Sequence, residues 1–123
     1  MADDDWIELD ELRRRLGTTR ATIDRWAHLA PTIDRAGGRV LRIEAVLIAL
    51  PARLRQQGVA PGLVRTAVAQ LLATVDDPSH GDWVVTTQRG KRVGVHVGEP
   101  VDLARGQLIG VVVAAEVRAL LAG

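Results

Sequence analysis

Apolar residues recur along the chain at two periods, and the change from one to the other divides it. Leu9, Leu12 and Leu16 fall at i, i+3, i+7, the spacing of one face of a short helix. Asp10 and Glu11 stand in its first turn and Arg13, Arg14 and Arg15 in its last, the order that suits the helix dipole. Gly17 ends it by admitting a left-handed backbone. Thr18 or Thr19 then caps a second helix through its hydroxyl, Thr19 being the better placed. Ile23, Trp26 and Ala27 share one face of that helix, and Arg20, Asp24, Arg25 and His28 lie elsewhere on it. Two short helices across a glycine-containing turn predict a helix-turn-helix.

Pro31 closes the second helix. Residues 32–35 and 39–42 flank Gly37-Gly38, and that pattern predicts a β-hairpin, a wing, over 32–42. Residues 43–57 predict a third helix with Val46, Leu47, Leu50 and Leu54 inside. Pro51 lacks a backbone donor, so it should kink that helix or split it near Leu50. Gly58 stops it, and Pro61 suits the first residue of a fourth helix. Val64, Val68, Leu71, Leu72 and Val75 form the fourth helix's apolar stripe.

At DDPSHGD, residues 76–82, the period changes to that of strands. Residues 83–97 hold two Val-rich runs across Arg89-Gly90-Lys91, a second hairpin. GQLIGVVV reads as strand or helix, and AAEVRALLAG as a terminal helix with Val117, Leu120 and Leu121 on its apolar side. The expected fold is α+β: a winged helix-turn-helix domain over 1–75, a linker over 76–82, and a hairpin-plus-helix appendage over 83–123. Two strands alone are a marginal unit. Val84, Val93, Val95, Val117, Leu120 and Leu121 are therefore expected to form an interface, with the N-terminal domain, a second copy or another protein.

Composition narrows the function. A chain of 123 residues, 47% hydrophobic, suits one domain or a small domain with an appendage. No apolar run approaches the roughly 18 residues of a membrane span. The acidic start MADDDW reads as neither a signal nor a transit peptide. With no cysteine there is no disulfide framework and no thiolate metal site. The expected location is the cytoplasm, in a bacterial or phage-encoded setting. Net charge is only +1, but it is unevenly spread. Residues 1–12 carry six acids and no base, and residues 13–57 carry ten Arg against Asp24, Asp34 and Glu44. Such asymmetry suggests an anionic partner.

Arg20 and Arg25 on the second helix, with Arg35, Arg39 and Arg42 on the hairpin, are expected to form a nearly continuous basic surface. The planar guanidinium donates two parallel hydrogen bonds to phosphate or to guanine. The expected partner is double-stranded DNA, with the helix in the major groove and the hairpin on the backbone.

DPSHGD holds the chain's only serine, Ser79, with His80 and Asp82 close by. A triad needs convergence in space, and three neighbours on one turn do not converge easily. Asp76, Asp77, His80 and Asp82 show no recognised metal-ligand spacing. The segment reads as an ordinary linker. His28 and His96 read as surface or capping histidines, and Gly90-Lys91 lacks the glycine spacing of a phosphate loop. No enzyme activity, cofactor or metal is expected.

The order of elements in residues 7–75 resembles the winged helix-turn-helix domain of MerR-type transcriptional regulators. The matching pieces are ELDELRRRLG, TTRATIDRW, GGRVLR and IEAV…LRQQGVAPGLVRTAV. The resemblance implies DNA-contacting roles for Thr19, Arg20 and Arg25 on the turn and second helix and for Arg39 and Arg42 on the wing; Thr18, Asp24 and Arg35 complete the set of candidate DNA-binding residues. Ala21 and Asp24 stand where that family often has Arg, and no long dimerising helix follows residue 75. The tail over 101–121 looks like the C-terminal segment of small MerR-like proteins proposed as antitoxins. That likeness implies a homodimer, a toxin partner, or both. The expected function is a dimeric, antitoxin-like regulator. The alternatives are a protein-interaction module working through 83–121 and a phage-type excisionase.

Overall fold

The computed structural model describes residues 2–88, 92–98 and 108–122. Leu12 and Leu16 are buried on the inner face of α1 (Leu9–Leu16). Gly17, at φ 64°, ends the helix, and the Thr18 amide bonds back to the Arg13 carbonyl at 3.2 Å. A left-handed glycine with that bond is the usual way to satisfy terminal helix carbonyls. Gln56 adds a second lock, its Nε2 donating to the carbonyls of Leu16 (2.5 Å) and Gly17 (3.2 Å). Thr19 caps α2 (Arg20–Trp26), its Oγ1 accepting from the Thr22 amide at 3.2 Å. A 3-10 turn, Ala27–Leu29, prolongs α2.

The expected hairpin over 32–42 is corrected. Asp34 and Arg39 form a single bridge, and no strand covers 32–35. Asp34 instead folds the turn on itself, its Oδ1 accepting from the Gly37 amide at 2.8 Å. The strand partner of β2 (Arg39–Leu41) is β1 (Trp6–Glu8), antiparallel, with Ile7 opposite Val40. Ile7 and Val40 are both buried, so the pair that closes this ribbon is apolar and long-range.

The split of the third helix near Leu50 does not occur. α3 (Arg42–Gln56) runs unbroken through Pro51. Proline removes the amide that would reach the carbonyl of Leu47, yet the helix continues because its surroundings hold it. Ala45, Val46, Ile48, Ala49, Leu50, Pro51, Ala52 and Leu54 are all buried. A helix apolar nearly all round belongs in the centre of a fold. α4 (Pro61–Thr74) starts at Pro61 and buries Val64, Ala67, Val68 and Leu71, leaving Leu72 exposed.

β3 (Trp83–Gln88), β4 (Arg92–Val97) and β5 (Leu108–Val113) form an antiparallel sheet in the order β4-β3-β5. The hairpin tip at 89–91 and residues 101–107 at the start of the tail lie outside the described residues. The inward face carries Trp83, Val85 and Thr87, with Val112 opposite Val85. Gly110 lies opposite Thr87, where a Cβ would come within 2.6 Å of Gln57 Oε1 and 2.8 Å of Thr87 Oγ1. A side chain at 110 would have to displace Gln57 and Thr87.

α5 (Ala114–Leu121) returns to pack on α1 and α3. Trp83, Val85, Val112, Val117 and Leu121 share one buried cluster with Leu12, Ile23, Val46 and Val68. The structure is thus a mixed α+β fold with two small antiparallel sheets and a core continuous across residues 76–82. The expected appendage is corrected accordingly, because Trp83, Val85, Val112, Val117 and Leu121 supply core rather than hang from it.

Candidate nucleic-acid interface

α2 is divided lengthwise. Ile23 and Trp26 are buried, while Arg20, Ala21, Asp24, Arg25 and His28 are exposed. The exposed strip has its own internal order. Arg20 Nε lies 3.3 Å from Asp24 Oδ1, an i,i+4 pair with both side chains about half exposed. His28 Nδ1 sits 3.1 Å from the Arg25 carbonyl, and its ring stacks on Trp26 at 6.1 Å between centroids. Arg25 has no side-chain hydrogen bond or ion pair among the described residues. Thr19 is spent on the cap, and Thr18 is half-buried beside Arg25 and Gln56.

The expected basic surface is only partly assembled. Arg35 is exposed on the turn, with no ion pair among the described residues. Arg39 is half-buried and doubly held: its guanidinium stacks 4.4 Å over the Trp6 ring, and Nε lies 3.3 Å from Asp34 Oδ2. Asp34's carboxyl is held below its usual range, first by the Gly37 amide and then by Arg39. Arg42 is corrected outright. It belongs to α3, and it donates to the carbonyls of Asp4 (2.9 Å) and Leu121 (2.6 Å), so it ties the two ends of the chain together. Arg13, Arg14 and Arg15 are likewise paired, with Asp10 and Glu11. Most of the positive charge legible in residues 13–57 is therefore used within the fold.

What the structure brings beside α2 instead is Arg55 and Arg65. Arg25 and Arg55 border a cleft of about 400 Å³ between α2, α3 and the start of α4, and Arg25 and Arg65 border an adjoining groove of about 760 Å³. Neither Arg55 nor Arg65 stands out in the sequence. Arg65 lies four residues after Pro61, and a helical reading of that start would have placed it one turn into α4, but not facing α2.

The expected partner interface is also revised. Val117 and Leu121 are buried, and Val93, Val95 and Leu120 are partly buried against the same core. These five side chains pack on the chain's own helices. Val84 is half-buried on the opposite sheet face, opposite His96 and Val113.

At the turn 76–82, Asp77 Oδ1 accepts from the Ser79 amide (3.1 Å) and hydroxyl (2.5 Å), which depresses the Asp77 carboxyl pKa. Ser79's hydroxyl is thus a donor to a carboxylate, and His80 Nε2 faces Asp77 at 3.6 Å rather than Ser79. Among the described residues no three His, Asp or Glu side chains converge as a metal site, and no helix is long and apolar enough to cross a membrane. No protein-family model, curated protein or solved structure matches the chain.

Proposed function

We propose that the chain is a double-stranded-DNA-binding transcriptional regulator of the winged helix-turn-helix kind, reading the major groove with α2. The observation that carries this is the division of α2. Its apolar side is anchored by Ile23 and Trp26, its start is capped by Thr19, and its outer side presents Arg25, unpaired among the described residues. A short helix capped at its start and anchored along its apolar side, with a guanidinium outward, suits bidentate contact to guanine or phosphate. Arg35, exposed on the turn before β2, supplies the adjoining backbone contact in this reading.

The test is selection of bound duplexes from a randomised library with the full chain, followed by anisotropy titrations at several salt concentrations. Affinity for a selected duplex should fall steeply with salt, because phosphate contacts release counterions. Arg25→Ala should weaken binding by roughly 1–3 kcal/mol and keep the wild-type melting temperature, since Arg25 is exposed. Enrichment of no duplex, or unchanged affinity in Arg25→Ala, would overturn the proposal.

A further inference from the structure

The groove between α2 and α4 has a character that a DNA-reading surface alone does not need. Its floor is apolar, formed by Trp26, Leu29, Val68 and Leu72, and its rim carries Arg25 and Arg65. Leu72 is 46% exposed on a helix that buries Val64, Val68 and Leu71. The groove holds about 760 Å³. It is open along α4, whose 14 residues span ~21 Å at 1.5 Å per residue. Phosphodiester backbone would satisfy the arginines and leave Leu72 uncovered. A purely apolar ligand would bury the floor and leave the guanidinium groups facing it.

We infer that this groove takes an acidic amphipathic peptide segment of a partner protein, lying along α4 with its apolar side on Trp26 and Leu72 and its carboxylates on Arg25 and Arg65. Helix-in-groove recognition works in this way, with apolar anchors spaced at i, i+3, i+4 and i+7. The acids and the apolar face are both required by what lines the groove: charge pairs with Arg at the rim, and Leu72 is covered by side chains rather than by water. Arg25 belongs to the groove and to the outer face of α2 at once. On the DNA-reading proposal, with which this second step stands or falls, a bound peptide therefore occupies an arginine needed for DNA and competes with it.

The experiment uses the full chain and a fluorescein-labelled synthetic peptide of about 12 residues, ~18 Å long as a helix, with Leu at i, i+3, i+4, i+7 and Glu elsewhere. Expected is saturable binding in the absence of DNA, weakened by salt. Leu72→Glu and Arg65→Glu should each reduce affinity at least about tenfold, a difference of about 1.4 kcal/mol. Both positions are exposed, so both variants should melt as the wild type does. A peptide with the Leu positions replaced by Ser should bind at least about tenfold more weakly. Absence of saturable binding, or binding indifferent to both substitutions, overturns the inference. So does weakened duplex binding by Arg65→Glu in a protein that binds no peptide, because the groove would then be a phosphate-contacting surface. Displacement of a selected duplex by the peptide tests the competition separately. If no duplex binds at all, the DNA-reading proposal fails while direct peptide binding still decides this one.

Discussion

Arg42, at the first residue of α3, donates a 2.6 Å hydrogen bond to the carbonyl of Leu121, the last residue of α5. Arg15 does the same from α1, reaching the Leu120 and Ala122 carbonyls at 3.3 and 2.6 Å. The final carbonyls of a helix have no partner within it, and a cation there also suits the dipole. Two arginines of the basic block thus cap the chain's last helix. Arg42→Ala should destabilise the fold by about 1–2 kcal/mol, the scale of a charged hydrogen bond partly exposed to water. Arg15→Ala and Arg42→Ala together should lose more than the sum of the two, as they hold one helix end. Denaturant melts of the single and double variants measure this, and DNA affinity extrapolated to the folded state should not change with Arg42→Ala.

A fragment ending at Val75 should not fold cooperatively. It would lack Trp83, Val85, Val112, Val117 and Leu121, each at most 3% exposed in the whole chain and all packed in the common cluster. Losing one large buried side chain commonly removes about 2–5 kcal/mol, and a domain holds only about 5–15 kcal/mol in all. Circular dichroism should show reduced helix and a broad thermal transition in the fragment. A sharp transition at the full-length temperature would mean that residues 1–75 form an independent domain after all.

Local patterns made the helices readable and gave little warning of long-range pairings. Leu9, Leu12 and Leu16 mark α1, Gly17 its end, Thr19 the cap and Pro61 the start of α4, because each acts within one turn of itself. β1 escaped notice since three residues, Trp6 to Glu8, carry no period, and their partner lies 30 or more positions away. The wing differs for the same reason: Gly37-Gly38 signals a turn, but the strand after it pairs with Trp6–Glu8 and meets residues 32–35 only at the Asp34–Arg39 bridge. Charge was the weakest guide. Sequence counts arginines, whereas Arg39 over Trp6 and Arg42 on Leu121 show that partners decide which of them remain available. Of the expected DNA-contacting cations, Arg25 and Arg35 keep that availability; Arg65 joins them only through tertiary packing, while Arg55, beside the same cleft, donates to the Val59 carbonyl at 2.7 Å.

Asp24 is the acid in the middle of the proposed reading helix, and the Arg20 guanidinium lies against it at 3.3 Å. An exposed i,i+4 pair contributes only about 0.2–0.5 kcal/mol to stability. Asp24→Asn should therefore leave the melting temperature nearly unchanged, remove a negative charge from the DNA-facing strip and free Arg20. Expected is tighter binding to every duplex, with a salt dependence steeper by about one phosphate contact. Titrations over single-base-pair variants of a selected duplex check it. A change confined to one base pair would show that Asp24 accepts from a base, as carboxylates do from cytosine N4.

Acid should loosen the fold. Glu11 is held below its ordinary pKa chiefly by its hydrogen bond from Arg15, and Asp34 chiefly by the Gly37 amide, with Arg39 adding to it. A carboxyl whose folded pKa is depressed binds its proton more readily in the unfolded chain. Its contribution is complete above the ordinary carboxylate pKa of about 4 and is lost as pH falls through the lower folded value. The melting temperature should thus stay level with respect to these groups from neutral pH down to about pH 5 and fall below about pH 4. Asp34→Asn and Glu11→Gln should melt below wild type at pH 7, because each removes a carboxylate that accepts two hydrogen bonds. The gap should close as the solution becomes acidic enough to protonate the wild-type carboxyl. Thermal melts of the three proteins across that range test the sign, and a gap that persists at the acid end would show that neither carboxylate's charge was responsible.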